Sequence, residues 1–78
     1  MILEIITPEK EVFNGEINSV KVPGESGEFE VLHNHASIIS NLTSGNIRVI
    51  TIENNTKTFK INGGVIEMKQ NKIIVLAD

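Results

Sequence analysis

Ile and Val recur at alternate positions in short runs along most of the chain, and turn-forming residues separate the runs. This period of two predicts strands at Ile2–Thr7, Glu11–Phe13, Glu16–Val22, Gly27–Leu32, Asn46–Glu53, Thr56–Ile61, Val65–Gln70 and Lys72–Ala77. The breaks between them carry Asn14-Gly15, Pro23-Gly24, Ser44-Gly45 and Asn62-Gly63-Gly64, and Asn54-Asn55 suits a two-residue hairpin loop. No segment holds a 3.6-residue apolar stripe for three turns. Ala36–Leu42, with Ala36, Ile38, Ile39 and Leu42, comes closest and reads as one short helical turn or another strand. Strands this short, at this spacing, suit a sandwich or a small barrel.

The strands are of two kinds. In Thr56–Ile61, Phe59 and Ile61 point one way, Thr58 and Lys60 the other. Gly27–Leu32 likewise sends Phe29 and Val31 inward and Glu28 and Glu30 outward. Three others are apolar on both faces. Asn46–Glu53 sets Ile47 and Val49 against Ile50 and Ile52, Lys72–Ala77 sets Ile73 and Val75 against Ile74 and Leu76, and Ile2–Ile6 sets Ile2 and Ile6 against Leu3 and Ile5. A sandwich covers only one face of each strand. The second faces either lie at sheet corners or form an exposed patch. Adjacent two-sided strands favour the patch, and patches of that kind mark interfaces.

Composition narrows the function. The chain has 78 residues, no cysteine, and a net charge of −3 from 7 basic and 10 acidic residues. Disulfides and thiolate metal sites are therefore excluded. The acidic balance argues against a phosphate-backbone binder, and three phenylalanines (Phe13, Phe29 and Phe59) make a poor base-stacking platform. No signal-like start and no run of 18 apolar residues is visible, so the expectation is a small cytoplasmic domain. At 8.6 kDa, surface scaling predicts about 4,700 Å² of accessible area for the folded chain.

Candidate chemistry is sparse. His33-Asn34-His35 puts two imidazoles at i and i+2, which on an extended segment would face one side and could share a metal, with Glu28 or Glu30 as third ligand. The competing reading is a loop in which a histidine caps a turn or touches a partner. Ser37, Ser40, Thr43 and Ser44 have no sequence-visible base, and Glu25, Glu28 and Glu30 read as a solvated rim. Pro23-Gly24-Glu25-Ser26-Gly27 lacks the lysine and the helix of a phosphate loop. Nothing supports catalysis or a bound cofactor.

The run Val22-Pro23-Gly24-Glu25-Ser26-Gly27-Glu28-Phe29-Glu30-Val31-Leu32, followed by His35-Ala36, resembles the signature region of the ATP synthase epsilon subunit family. Ser44-Gly45-Asn46-Ile47-Arg48-Val49 resembles its P-G-x-I-R-I strand. Ile61 to Glu67, the closing Val75-Leu76-Ala77-Asp78, and the opening from Thr7-Pro8-Glu9 to Asn14-Gly15 fit the same family in order. The resemblance implies a single all-β domain over residues 1–78, a small antiparallel β-sandwich of about 8–10 short strands. It also implies a non-catalytic rotor subunit, clamped to the gamma subunit and resting on the polar loops of the membrane c-ring. Such a subunit is peripheral, at the cytoplasmic face of a bacterial inner membrane, with no cofactor and no nucleic acid.

Carried over by motif, Glu28, Phe29, His35 and Ala36 fall at the c-ring contact. The two-faced strands give Ile50, Ile52, Ile74 and Leu76 as the gamma contact. The chain departs from the family around His35: His33-Asn34 replaces Pro-Gly and Ser37 replaces Pro, so a less rigid loop is expected. Family members continue into a two-helix hairpin used for inhibition and nucleotide sensing. Here the sequence stops at Asp78, as a naturally short subunit or a domain cut from a longer one. A free-standing adaptor sandwich and a metal enzyme built on His33 and His35 are the competing functions.

Overall fold

The computed structural model describes all residues, 1–78, as eight strands and no helix: β1 (Ile2–Ile6), β2 (Glu11–Gly24), β3 (Gly27–Val31), β4 (Ile38–Leu42), β5 (Gly45–Thr51), β6 (Thr56–Ile61), β7 (Gly64–Lys69) and β8 (Lys72–Ala77). Alternation places one side of each strand inward. Leu3 and Ile5, Ile47 and Val49, Ile66 and Met68, and Ile73 and Val75 are all fully or almost fully buried in a single core. The accessible surface is 4724 Å², close to the scaling expectation, so the chain spends little of itself on extended loops.

The strands form two layers. One holds β4, β7, β8, β1 and the first half of β2; the other holds β3, the second half of β2, β5 and β6. At one corner Glu25 N–H donates to the Asn41 carbonyl at 3.0 Å and Thr43 N–H to Pro23 at 2.8 Å, joining β2 to the β4 segment. At the opposite edge Phe13 of β2 and Phe59 of β6 close the gap, their ring centroids 5.7 Å apart. Pairing is antiparallel throughout except for β1 and β8, which run parallel, with Leu3 opposite Ile73 and Ile5 opposite Val75. The first and last strands thus lie side by side.

Three local expectations are corrected. Asn14-Gly15 is not a turn: both residues lie inside β2, opposite Glu4 and Leu3, so the two strands expected at Glu11–Phe13 and Glu16–Val22 are one. The strand changes layers at a bulge instead. Its register with β5 shifts between Ile17 and Ser19, and Ser19 and Val20 are both buried. The Asn18 amide donates to the Thr51 carbonyl and to Asn54 Oδ1, each at 3.1 Å, which pins the bulge to the β5–β6 turn.

Pro23-Gly24 also lies within β2, and the turn is Glu25-Ser26. Gly24 is needed for close approach, because a Cβ there would sit 2.7 Å from the Phe29 ring. The β5–β6 connection is longer than Asn54-Asn55: β5 stops at Thr51 and resumes as β6 at Thr56, with Asn54 at φ 65°. Ile52 is therefore a turn residue and not the end of a strand face. A turn without glycine joins β7 to β8, where Gln70 and Asn71 both take positive φ, 53° and 60°, the geometry of a type I′ hairpin. Ala36–Leu42 resolves as strand from Ile38 onward.

Candidate functional site

The residues placed at the c-ring contact gather at the β2–β3 hairpin and the loop after it. Val31 ends β3 in the core, and every residue from Leu32 to Ser37 is exposed. Glu28 lies opposite Pro23 on β3, its carboxylate 3.5 Å from Lys21 Nζ and largely in water. Glu30, two residues on and on the same face, accepts from Arg48 Nη2 at 3.2 Å. Both pairs are solvent-exposed and worth well under about 1 kcal/mol each; what they supply is a surface of alternating charge. Phe29 does not project with Glu28. It points inward and packs half-buried against the core beneath Gly24.

The loop turns sharply at Leu32–His35. His35 N–H donates to the Leu32 carbonyl at 3.2 Å, with Asn34 at φ 61°. The His35 ring then folds back, its Nδ1 donating to the Ala36 carbonyl at 2.7 Å. A tight turn replaces the extended segment that would set His33 and His35 on one side, and no group of three His, Asp or Glu side chains comes together anywhere in the fold. The metal reading loses its geometric basis. Glu28, His35 and Ala36 are all exposed, while Phe29 supports the strand that presents Glu28.

The four residues expected at a gamma contact separate into two places. Ile74 and Leu76 are on the outer face of β8, where cross-strand pairing sets Ile6, Leu76 and Val65 in one row and Ile74 between Glu4 and Glu67 in the next. Leu76 is 54% exposed and Ile2, on the same face, 44%. Ile50 is on β5 in the other layer, half-buried opposite Ser19 and Thr56, and Ile52 caps the neighbouring turn. A single flat partner would meet one group or the other. The sequence could not separate them, because strand order is not encoded in the period of two.

Two exposed aliphatics remain: Leu32, 54% exposed, at the head of the His35 loop, and Ile39 on β4, 74% exposed, at the groove between β3 and β4 that Phe29 and Asn41 also line. The sequence pattern puts Ile39 in the apolar Ala36–Leu42 set but at no contact. Its only signal is that it faces away from Ile38 and Ser40 on an edge strand.

The family model of the ATP synthase delta/epsilon chain β-sandwich domain matches residues 1–78. The ATP synthase epsilon chain of Chlorobaculum tepidum is 45% identical over 76 residues, 97% of this chain and 86% of that protein. The epsilon chain of Campylobacter curvus is 43% identical over the same share of this chain but only 59% of its own length. The chain thus spans most of one relative and less than two thirds of the other. Among solved structures, a chain of the Euglena gracilis mitochondrial ATP synthase (OSCP, F1 and c-ring) superposes with a TM-score of 0.92 at 18% identity, covering 99% of this chain and 49% of that one. A chain of the Tetrahymena thermophila mitochondrial ATP synthase central stalk and c-ring gives 0.79 at 17% identity, covering 99% and 62%. With the fold, the motif order and the match over its whole length in agreement, the chain belongs to the ATP synthase delta/epsilon β-sandwich family.

Proposed function

We propose that the chain is a non-catalytic rotor subunit of a rotary ATP synthase, joining the gamma subunit to the c-ring so that ion-driven rotation reaches the catalytic head. Residues 1–78 act as one sandwich domain with two working surfaces. The outer face of the β1–β8–β7 layer, carrying Ile2, Ile6, Val65, Ile74 and Leu76, is the gamma contact. The exposed end formed by Glu28, His35 and Ala36 is the contact with the polar loops of the ring, and Phe29 holds β3 in place behind it. Ile50 and Ile52, on the other layer, lie outside both surfaces. In a bacterium this puts the domain at the cytoplasmic face of the inner membrane, held there by its partners. Residues 1–78 are all strand and connecting turn, and inhibition by helix insertion and nucleotide sensing are not part of the role proposed for them.

The observation that carries the proposal is the row Ile6–Leu76–Val65, with Ile74 beside it, left open on a layer whose other face is the core. An apolar centre beside the charges of Glu4 and Glu67 has the anatomy of a protein interface. Gel filtration of the chain with the cognate α₃β₃γ assembly tests it. Stoichiometric co-elution, lost with Leu76→Asp, supports the rotor role and the face. Failure of the unmodified chain to co-elute at low and moderate salt would refute it and leave the adaptor reading.

A further inference from the structure

We infer that Asn71, at the tip of the β7–β8 hairpin, is a positioning residue that holds the His35 loop in its ring-facing conformation. The inference rests on the ring-contact reading above and concerns a contact between residues 37 positions apart. Asn34 N–H donates to Asn71 Oδ1 at 3.1 Å, and Asn71 Nδ2 donates to Asn34 Oδ1 at 3.4 Å. Each asparagine both gives and receives, so the pair fixes direction as well as distance.

The two partners are unequal, which identifies the anchor. Asn71 is a central residue of a tight hairpin turn between the paired Lys69 and Lys72, and its carbonyl accepts from Ile2 N–H at 3.0 Å. It is tied to the β1–β8–β7 layer by its backbone. Asn34 sits mid-way along six consecutive exposed residues, Leu32–Ser37, with no buried side chain to hold them. No proline stiffens the loop around this histidine: His33-Asn34 precede it and Ser37 follows Ala36. Its internal restraints are the Leu32–His35 turn and the His35–Ala36 bond. The amide pair is what ties its middle to the body of the sandwich.

Both asparagines take the left-handed conformation, φ 61° and 60°. Glycine adopts it at no steric cost, and asparagine is among the few other residues that do so readily. Two asparagines here keep both turns and add two side-chain amides that meet. His35 and Ala36 follow Asn34 directly, so fixing Asn34 fixes where they face. If the loop is released, the ring must select the competent conformer, and apparent affinity falls with the fraction populated.

The test uses the ¹⁵N-labelled full chain with Asn71→Gly, Asn34→Gly and Asn71→Asp. Glycine preserves each turn; Asn71→Gly deletes both hydrogen bonds, whereas Asn34→Gly deletes only the Oδ1 acceptor, and Asn71→Asp keeps an oxygen to accept the Asn34 N–H. Expected for Asn71→Gly is exchange of the Asn34 amide accelerated about fivefold, and affinity for the detergent-purified c-ring reduced by about as much. Gamma binding should be unchanged. Asn71→Asp and Asn34→Gly each keep the position-34 N–H bond to an oxygen at position 71 and lose only the 3.4 Å donation, so both should stay within about twofold of the unmodified chain in exchange and ring affinity, and either one still contrasts with Asn71→Gly if the other misfolds. Unchanged Asn34 exchange in Asn71→Gly, wild-type ring affinity in Asn71→Gly, or losses in Asn71→Asp and Asn34→Gly as large as in Asn71→Gly would each overturn the assignment. If the unmodified chain does not bind the ring, the ring-contact reading fails, while the exchange data still decide whether Asn71 holds the loop.

Discussion

Shortening Leu76 to alanine separates the two apolar groups on this domain. Leu76 is 54% exposed in the isolated chain, and burying a leucine side chain completely contributes about 1.5–3 kcal/mol. A partner seated on the β1–β8–β7 face therefore has about half of that left to gain. Leu76→Ala should weaken binding to α₃β₃γ by about 1 kcal/mol, about fivefold. The same substitution removes few core contacts, so the urea midpoint should hardly move. Ile52→Ala supplies the matched control: Ile52 is similarly exposed, at 52%, but sits in the turn of the other layer, and its loss should change gamma affinity by less than about twofold. Isothermal titration of α₃β₃γ with each variant reads both numbers. Wild-type affinity for Leu76→Ala, or a larger loss for Ile52→Ala, would refute the assignment of the gamma face.

Two further outcomes concern the frame behind these surfaces. Gly64 has φ 150°, and a Cβ there would collide with the Leu76 carbonyl. Gly64→Ala should cost more than about 2 kcal/mol in urea denaturation and disturb the β7–β8 pairing; a near-neutral result would contradict the packing described. Asn18→Ala removes both hydrogen bonds between the β2 bulge and the β5–β6 turn and should cost about 1–2 kcal/mol, with amide exchange rising first at Asn54 and Asn55. Uniform loosening across the domain would instead assign Asn18 a global role.

The core was readable because its signal is local. Val31 and Ile61 declare their face by alternation with charged or polar neighbours, and both are buried; in the two-faced strands alternation leaves open whether Leu3 and Ile5 or Ile2 and Ile6 turn inward, and the structure buries the first pair. Asn14-Gly15 misleads for a physical reason: a turn preference competes with ladder bonds to β1 that depend on residues ten or more positions away. With Leu3 and Glu4 opposite and the Phe13 ring against Gly15, extension wins. The bulge at Asn18 is invisible because its partners, Thr51 and Asn54, belong to a different strand pair. The expected strand bounds put the β7–β8 break at Asn71, but the turn type was not legible because it uses Gln70-Asn71, where asparagine-glycine is the usual signal. Glu28, His35 and Ala36 come from motif order alone, and periodicity has nothing to say about an exposed loop. The Asn34–Asn71 pair lies beyond both kinds of reading, since neither residue has a pattern that points to the other.

The parallel pairing of β1 with β8 has a consequence for synthesis. During translation the first edge of β1 can be matched soon, as β2 emerges, but its other edge waits for a strand that begins about 70 residues later. At ~5–20 residues per second the wait is roughly 4–14 s. Throughout it, Leu3 and Ile5 have no neighbour on the β8 side, and β7, once made, also has an open edge. Closure therefore waits for residues 72–77 and is dominated by non-local contacts, which fold slowly. A ribosome stalled before Lys72 would hold a nascent chain with two apolar edges open to β-strand pairing with another chain.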